Sequence, residues 1–265
     1  GRAGKHGTYN PKHNDRSFDL ENSEHINAEL AKKNVYWDCY NGFRSLAKEE
    51  LLADTFEEVE EMFYSSQYRN HVESQNQRNE KNRHPERNRT TSDLLKNKKT
   101  APEETIFQIG TIDNHVPPEI LLQVVTDFLV ELDTRFGKNV HILDWALHLD
   151  EGTPHIHERH VFDCENSYGE VAPQQEKALE ELGFELPDPT QKPSKINNRK
   201  KTFDSVCRVI LFNITKKYGL DLEEEPEYGG RAYLEKQDYI LMKQKQQMEQ
   251  QEKKLEELTV KIEDI

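Results

Sequence analysis

The chain has 265 residues, a formal charge of −14, 32% charged residues and 34% hydrophobic residues, enough apolar material for one modest core rather than two. No apolar run approaches the ~20 residues that cross a bilayer. Three widely spaced cysteines, Cys39, Cys164 and Cys207, argue against a thiol metal site and favour a reducing cytoplasm. We therefore expect a cytoplasmic protein with one globular domain, polar extensions, no signal peptide and no membrane segment.

In chain order, residues 1–34 are predicted to be irregular and residues 35–40 form a strand. Apolar residues at helical spacing predict a helix over residues 45–68. Residues 69–99 lose that periodicity and become polar and basic. A further strand is predicted over residues 105–112.

Pro117-Pro118 opens a predicted helix that runs to about Phe136. The segment from Pro173 to Leu182 is a predicted short acidic helix, and residues 187–200 form a loop. A last amphipathic helix covers residues 202–218, with Gly219 at the position that ends it.

Residues 233–265 have a heptad pattern. Leu241, Met248, Leu255 and Ile262 recur every seven residues. This pattern predicts the start of a coiled-coil helix through which two copies of the chain would dimerise. A lone charged helix is an equally good interpretation over so few heptads.

Basic residues are concentrated in two segments despite the acidic total. Residues 69–99 carry nine Lys or Arg against four acids, and residues 191–217 carry eight against one. Such segments matter more for phosphate contact than the total charge does. They favour nucleic-acid binding, although a solvated, partly disordered loop is an equally good interpretation.

The segment His148-Leu-Asp-Glu-Gly-Thr-Pro-His-Ile-His157 holds three imidazoles and two carboxylates in ten residues. His155 and His157 are two positions apart, so on a strand they point to the same face. Gly152-Thr-Pro154 indicates a chain reversal. The pattern predicts a β-hairpin with His148 ending one strand and His155 starting the next, which gathers the three imidazoles at one end of a sheet.

Three histidines can hold a divalent metal and leave coordination positions open, as catalytic sites do. Asp150 is expected to hydrogen-bond a ligand histidine, with Glu151 also within reach. We expect Mn²⁺ or Mg²⁺, with Zn²⁺, Ni²⁺ and Co²⁺ as alternatives. A solvated His-rich turn is the alternative, but three histidines at hairpin spacing with adjacent acids favour a metal site. His141 and His160 are off the pattern and are interpreted as ordinary core or surface residues.

A second constellation, His13-Asn-Asp-Arg16, indicates no function by itself. Together, residues 12–18 and residues 148–157 resemble the Mob/Pre family of plasmid mobilisation and recombination proteins, relaxases of the HUH endonuclease class. The resemblance covers residues 5–30 and 138–165. It implies an α+β fold in which helices pack on one face of an antiparallel sheet, as in HUH endonucleases.

The same resemblance implies a relaxase-like catalytic domain over residues 1–232. Residues 69–99 depart from the family pattern as a basic insertion that either contacts DNA or is flexible. In the family a strand precedes the first motif, whereas here only twelve residues precede His13 and the chain starts at Gly1 without a Met. We therefore expect a processed or trimmed chain that lacks a central strand.

The activity implied by the resemblance is cleavage and rejoining of one DNA strand at a plasmid transfer origin. A nucleophile stays bonded to the new 5′-phosphoryl end. Carried over to this chain, the nucleophile is His13, Glu151 orients or deprotonates it, and Arg16 contacts phosphate. The implied metal ligands are His148, His155 and His157.

The expected partner is single-stranded or supercoiled plasmid DNA. Its phosphates would be met by residues 5–16, 78–89 and 195–201. The individual basic residues assigned to this contact are Lys5, Lys12, Arg78, Lys81, Arg83 and Arg87.

Two alternatives remain open. Tyr9, Tyr36 and Tyr40 are competing nucleophiles, and Tyr9 is the strongest because it lies close to His13. A tyrosine nucleophile would favour an HUH replication initiator or single-strand transposase. The other alternative is a non-catalytic DNA-binding scaffold that keeps a structural His-metal site.

Overall fold

The architecture is taken from a computed structural model of the chain. The described residues are 2–3, 11–17, 26–44 and 54–222. The chain divides into two compact units, Gly1–Gly183 and Phe184–Ile265. The predicted domain boundary at residue 232 and the predicted coiled-coil tail lie outside the described residues, as do Lys5 and Tyr9.

The first unit is built on a seven-stranded open sheet, in which every described pairing is antiparallel. Its strands are β1 (Arg2–Ala3), β2 (Val35–Asp38), β3 (Gly42–Arg44), β4 (Glu103–Phe107), β5 (Val140–His148), β6 (His155–Glu165) and β7 (Val171–Pro173). Their order is β1-β4-β6-β5-β2-β3, and β7 pairs with the last residues of β6. The α+β class and the antiparallel sheet are confirmed. The strand that precedes His13 lies beside β4 rather than at the centre of the described sheet.

Seven helices are described in the first unit and one in the second. They are α1 (Pro11–Asn14), α2 (Ala28–Ala31), α3 (Phe56–Gln67), α4 (Arg69–Lys81), α5 (Thr91–Lys96), α6 (Pro118–Phe136), α7 (Gln175–Glu181) and α8 (Arg199–Lys217). The predictions for α6, α7 and α8 are confirmed, while α1 and α2 were not predicted. Among the described residues, no helix has both the length and the apolar character needed to cross a membrane.

The long hairpin of β5 and β6 forms the centre of the sheet, with His148 directly opposite His155. The predicted hairpin is therefore confirmed. The register shifts between Ile142 and Asp144, which leaves Leu143 as an extra residue in β5. Leu143 is fully buried in the apolar cluster that joins the sheet to α3, α4 and α5.

Helices pack against both faces of this sheet. Cross-strand partners point to the same face, so the register assigns His148, His155, His157 and Arg159 to one side, here called the histidine face. On that face, Arg159 donates a 2.9 Å hydrogen bond to Glu60 of α3. On the opposite face, the ring of Phe107 lies 5.4 Å from that of Phe128 in α6.

The prediction that helices pack on one face only is therefore wrong. Strand β6 is buried at all ten positions from His155 to Cys164, so both of its faces need cover. In the sequence, its charged and imidazole side chains are typical of an exposed strand. They are buried in the structure because their hydrogen-bond partners come from other helices and strands, which the local sequence does not show.

Most of the basic segment over residues 69–99 lies in helices α4 and α5, which its sequence did not indicate. Its flexibility stays a prediction. Helix α4 buries only Val72, and a single apolar residue gives no periodicity to detect. A 3₁₀ turn over Pro85–Arg87 follows, and a capping box formed by Thr90 and Asp93 begins α5. Tyr64 and Tyr68 of the preceding segment are fully buried and fix this layer to the sheet.

Two buried aspartates face each other across β2 and β5, in opposite electrostatic environments. Asp38 accepts a 2.8 Å hydrogen bond from Arg44 Nε; burial raises the pKa of Asp38, but backbone hydrogen bonds from Asn41 and the contact with Arg44 outweigh it and lower the pKa. Neither carboxylate oxygen of Asp144 has a hydrogen-bond partner in the described part of the chain. Burial, reinforced by Glu60, raises the pKa of Asp144 well above its usual range.

Replacing Asp144 with Asn should raise the free energy of unfolding by about 1–3 kcal/mol at pH 7. The folded wild type keeps this proton while the unfolded chain loses it above about pH 4, so wild-type stability falls as the pH rises from there toward the raised pKa. The difference in free energy of unfolding between Asp144→Asn and the wild type should therefore become smaller as the pH falls toward 4. Denaturant unfolding at several pH values measures both effects.

The matched control is Asp38→Asn, on the facing strand. It leaves the Arg44 guanidinium without its carboxylate and should destabilise the fold by roughly 3–5 kcal/mol at neutral pH. If Asp144→Asn destabilised the protein as much as Asp38→Asn does, Asp144 would have to be ionised and paired.

The second unit is described from Phe184 to residue 222. Its loop, predicted over residues 187–200, is held by the buried Asn197 side chain, which accepts from the Asp188 amide and donates to the Asp188 carbonyl. Helix α8 then begins at an Asn198 cap. Gly219 follows the helix with a φ of 71°, which confirms its predicted role as the terminating residue.

Candidate metal centre

Three imidazoles meet at one end of the histidine face. His148 is the last residue of β5. His155 and His157 are the first and third residues of β6, so their side chains lie on the same face. Their ring centroids are 4.9–5.2 Å apart. Each is buried, with 0–9% of the residue exposed. The hairpin thus gathers the three predicted ligands in one cluster.

The first motif reaches the same cluster from the other end of the sequence. His13 lies in α1, and its ring is 5.5 Å from that of His148 and 5.8 Å from that of His157. Asn14, the next residue, is buried beneath it. The two sequence motifs therefore form one site in space.

Each imidazole of the hairpin donates one ring N–H to an oxygen that can only accept. The bonds run from His148 Nε2 to the Asn14 carbonyl at 2.8 Å, from His155 Nδ1 to the Thr153 carbonyl at 2.8 Å, and from His157 Nδ1 to Glu104 Oε1 at 2.9 Å. On a neutral ring, the other nitrogen then carries the lone pair. This is how metal-ligating histidines are oriented in proteins.

The lone-pair nitrogen of His148 has no hydrogen-bond partner in the described part of the chain, although it is buried. Its nearest acidic oxygen is Glu151 Oε1, 3.8 Å away. Burial, together with the charge of Arg16, lowers the pKa of His148 to about 3, so the ring is neutral at pH 7. A neutral, oriented and unsatisfied imidazole nitrogen fits a metal ligand.

Two overlapping sets of residues bring their ligand atoms within 4.8 Å of one another. One consists of His13, His148 and His157, and the other of His148, Glu151 and His155. Either could hold a metal ion. Both include His148, and neither contains all three predicted histidines. The structure thus places His13 and Glu151 within ligand distance beside the predicted histidines, and the predicted set of His148, His155 and His157 stays a prediction.

Arg16 joins the first motif to the hairpin. It donates to both oxygens of Asp150 at 2.7 Å and to Glu151 Oε1 at 2.7 Å. Only 4% of its side chain is exposed. Its backbone has a φ of 57°, a region that non-glycine residues occupy at a cost, which these ion pairs offset.

These contacts correct two predictions. Asp150 was expected to hydrogen-bond a ligand histidine, but it pairs with Arg16. Burial raises the pKa of Asp150, and the Arg16 interaction outweighs this effect and lowers it. Arg16 was expected to contact phosphate, whereas its buried guanidinium is already bound to two carboxylates. Its role in the described site is to position the turn that carries Glu151.

Glu151 lies between the two motifs. Its Oε1 is 3.3 Å from His13 Nε2, and its Oε2 is 3.8 Å from His155 Nε2. The hydrogen bond from His13, followed by that from Arg16, lowers the pKa of Glu151 far below its usual range. The carboxylate therefore stays negatively charged next to the imidazoles.

The contacts of His13 define its tautomer. Arg16 Nη1 lies 3.3 Å from His13 Nδ1, and a guanidinium can only donate. His13 Nδ1 therefore accepts, and the proton on Nε2 points toward Glu151.

Glu104 of β4 completes the site and was not identified in the sequence. Its Oε1 accepts from His157 Nδ1 at 2.9 Å and from the Asn14 side chain at 3.0 Å. Burial raises the pKa of Glu104, but the hydrogen bonds from His157 and Asn14 outweigh it and lower the pKa. One carboxylate thus holds both His157 and the helix that carries His13.

Replacing Glu104 with Gln should lower metal affinity about 10–100-fold, because His157 loses its charged hydrogen-bond acceptor. Competition with a chelator measures the affinity, and thermal unfolding checks that the fold is intact. Glu103→Gln is the matched control, since Glu103 lies on the opposite face of the same strand. Equal affinities in the two variants at the metal centre would exclude an orienting role for Glu104.

The described tyrosines are poorly placed to replace His13. Tyr36 is buried, its hydroxyl contacts Asn34, and burial raises its pKa. Tyr40 follows the end of β2 that is distant from the cluster, and its hydroxyl contacts Ser66. Tyr9 lies outside the described residues.

The predicted DNA-contacting residues fall into two groups. Arg78 donates to both oxygens of Glu170, at 2.6 and 2.9 Å, and its guanidinium lies 4.1 Å from the centre of the Tyr168 ring. This residue connects α4 to the turn after β6. The remaining described members, Lys12, Lys81, Arg83 and Arg87, have exposed side chains.

Comparison with known proteins gives no match: no family model, curated protein or solved structure corresponds to the chain. Any assignment of function therefore depends on the two motifs and on the geometry that joins them.

Proposed function

We propose that the chain is a metal-dependent DNA relaxase, which nicks one strand and later rejoins it through a covalent 5′-phosphoryl intermediate on His13. The observation that carries this proposal is the position of His13. Its imidazole adjoins the cluster that could hold a metal, and its two nitrogens contact Arg16 and Glu151. A purely structural histidine would not need three oriented imidazoles and a carboxylate around it.

In the proposed cleavage, the His13 proton first moves by exchange with solvent from Nε2 to Nδ1, which requires the Arg16 contact with Nδ1 to open. The freed lone pair of Nε2 then attacks the scissile phosphorus as the bond from phosphorus to the 3′-oxygen breaks. The ring releases its Nδ1 proton to solvent and the departing 3′-oxygen gains one from solvent, which leaves a phosphoramidate bond and a 3′-hydroxyl. Glu151 holds the ring through Nε2 before the attack and stabilises the positive charge that develops on it. Because its pKa is low, Glu151 is a weak proton acceptor and a strong electrostatic partner.

The donor atoms fit a divalent transition ion held by His148 with His157 and His13, or with His155 and Glu151. When bound, such an ion would neutralise charge on a non-bridging phosphate oxygen. Mainly imidazole donors favour Mn²⁺, Co²⁺, Ni²⁺ or Zn²⁺ over Mg²⁺, which prefers oxygen ligands and water.

The proposal is tested with the full chain, Mn²⁺ and a supercoiled plasmid that carries a transfer origin. We expect a relaxed product and a protein–DNA adduct that survives denaturing electrophoresis. Mass spectrometry of the digested adduct should place the nucleotide on the peptide that contains His13. If metal removal lowers the melting temperature and no adduct forms with any origin or single-stranded substrate, the non-catalytic scaffold is the better assignment.

Replacing Lys81, Arg83 and Arg87 together with Gln should weaken DNA binding and reduce the slope of log affinity against log salt by about 2. These three side chains are exposed on or after the last turn of α4. Arg78→Gln is the control for an arginine that is already paired. It should lower the free energy of unfolding, because Glu170 loses its partner, and leave the slope of log affinity against log salt nearly unchanged. An unchanged slope in the triple variant would exclude this surface from DNA contact.

A further inference from the structure

Another oriented imidazole, that of His160, lies on the face of β6 opposite the histidine face. His160 Nδ1 is 3.0 Å from both carboxylate oxygens of Glu158, so this nitrogen carries the proton that the carboxylate accepts. His160 is only 4% exposed, and its Nε2 has no hydrogen-bond partner among the described residues. The nearest acidic oxygen to that nitrogen is Glu103 Oε2, at 3.8 Å.

His160 and Glu103 line a cavity of about 860 Å³. It lies beside β6, between the first residue of β4, which pairs with His160, and the last residue of β7, which pairs with Asp163. Two further acids, Glu176 and Glu180 of α7, also line it. Three lysines, Lys98, Lys99 and Lys177, balance these carboxylates in number. The cavity therefore has no excess positive charge to attract an anion, and one of its lining residues, His160, carries a buried nitrogen with no hydrogen-bond partner among the described residues.

We propose that His160 and Glu103 form a second cation site, which takes a first-row divalent ion. A metal bonds imidazole nitrogen and carboxylate oxygen at about 2.0–2.2 Å, so donor atoms 3.8 Å apart can share one ion at a wide angle. The carboxylate of Glu158 orients His160 as Glu104 orients His157 in the metal centre. Water would fill the remaining positions.

The alternating faces of a strand account for the two sites. Glu103 and Glu104 are consecutive in β4, so one carboxylate points to each face. Glu103 lies directly opposite His160, whereas Glu104 lies opposite Arg159 and reaches His157 diagonally on the same face. The metal centre offers three protein ligands within 4.8 Å, whereas the second site offers two. We therefore expect the second site to bind more weakly than the first.

Equilibrium dialysis of the metal-free full chain against Co²⁺, followed by elemental analysis, counts the sites without any DNA. The wild type should bind two equivalents, one tight and one weak. His160→Ala should lose the weak equivalent, and Glu103→Gln should weaken it at least about tenfold while leaving the tight one unchanged. His141→Gln, a partly buried histidine that contacts Asp163, should retain both.

A single equivalent in the wild type, or a weak equivalent that neither variant affects, would overturn the proposal and leave His160 as an imidazole balanced by Glu158 and Glu103. If His160→Ala does not fold, Glu103→Gln decides the matter alone, because the Glu103 side chain is partly exposed. The outcome is independent of the relaxase proposal, since neither catalysis nor DNA is involved.

Discussion

Replacing His148 with Gln should abolish tight metal binding. His148 belongs to both sets of ligand atoms, so no described set survives its loss. Glutamine can still donate to the Asn14 carbonyl, as His148 Nε2 does, but it does not replace the lone pair of Nδ1. We expect a larger loss of affinity than the roughly 10–100-fold change expected when only an orienting partner is removed.

Calorimetry with Mn²⁺ and with Co²⁺ measures this loss, and circular dichroism verifies the fold. His141→Gln is the matched control, because His141 lies on the same face of β5 and contacts Asp163 rather than the cluster. Retention of tight binding by a folded His148→Gln protein would show that the ion is held elsewhere.

Replacing His13 with Ala should eliminate the covalent DNA adduct, with cleavage reduced by several orders of magnitude, because the proposed attacking nitrogen is absent. The adduct is measured on a denaturing gel after incubation with single-stranded origin DNA and Mn²⁺. Tyr9→Phe and Tyr36→Phe are the controls and should still form it. An adduct that persists in His13→Ala and disappears in Tyr9→Phe would transfer the nucleophile to the tyrosine.

The same variant distinguishes the two ligand sets. If the ion is held by His13, His148 and His157, metal affinity should fall in His13→Ala and remain in His155→Ala. If it is held by His148, Glu151 and His155, the order is reversed. If His13 acts as the nucleophile without binding the metal, we expect affinity to fall in His155→Ala and to remain in His13→Ala.

The hairpin could be predicted from the sequence because its information is local. Two histidines at strand spacing, a turn and a third histidine before it are enough to specify which side chains share a face. Helix α6 was predicted for the same reason, since its proline start and apolar spacing lie within one segment. Both features depend on residues fewer than twenty positions apart.

Glu104 could not be predicted, because its position depends on how β4 pairs with β6. Nothing in the sequence around Glu104 distinguishes it from Glu103, yet a single step along the strand decides which face each carboxylate lies on and which histidine it approaches. The pairing of Arg16 with Asp150 likewise spans 134 positions. Helix α4 was missed because its polar surface and single buried apolar residue give no helical pattern.

The attachment of α1 has a consequence for how the proposed nucleophile is presented. The described anchors of this segment are polar: Asn14 on Glu104, Arg16 on Asp150 and Glu151, and Asp15 on the amide of Phe56. Breaking one of these contacts leaves buried charges without partners. The remaining contacts then stabilise the segment less, so all of them are expected to break together. The segment from Pro11 to Ser17 should therefore detach and reattach as one cooperative unit, a small foldon that can leave the sheet without melting it.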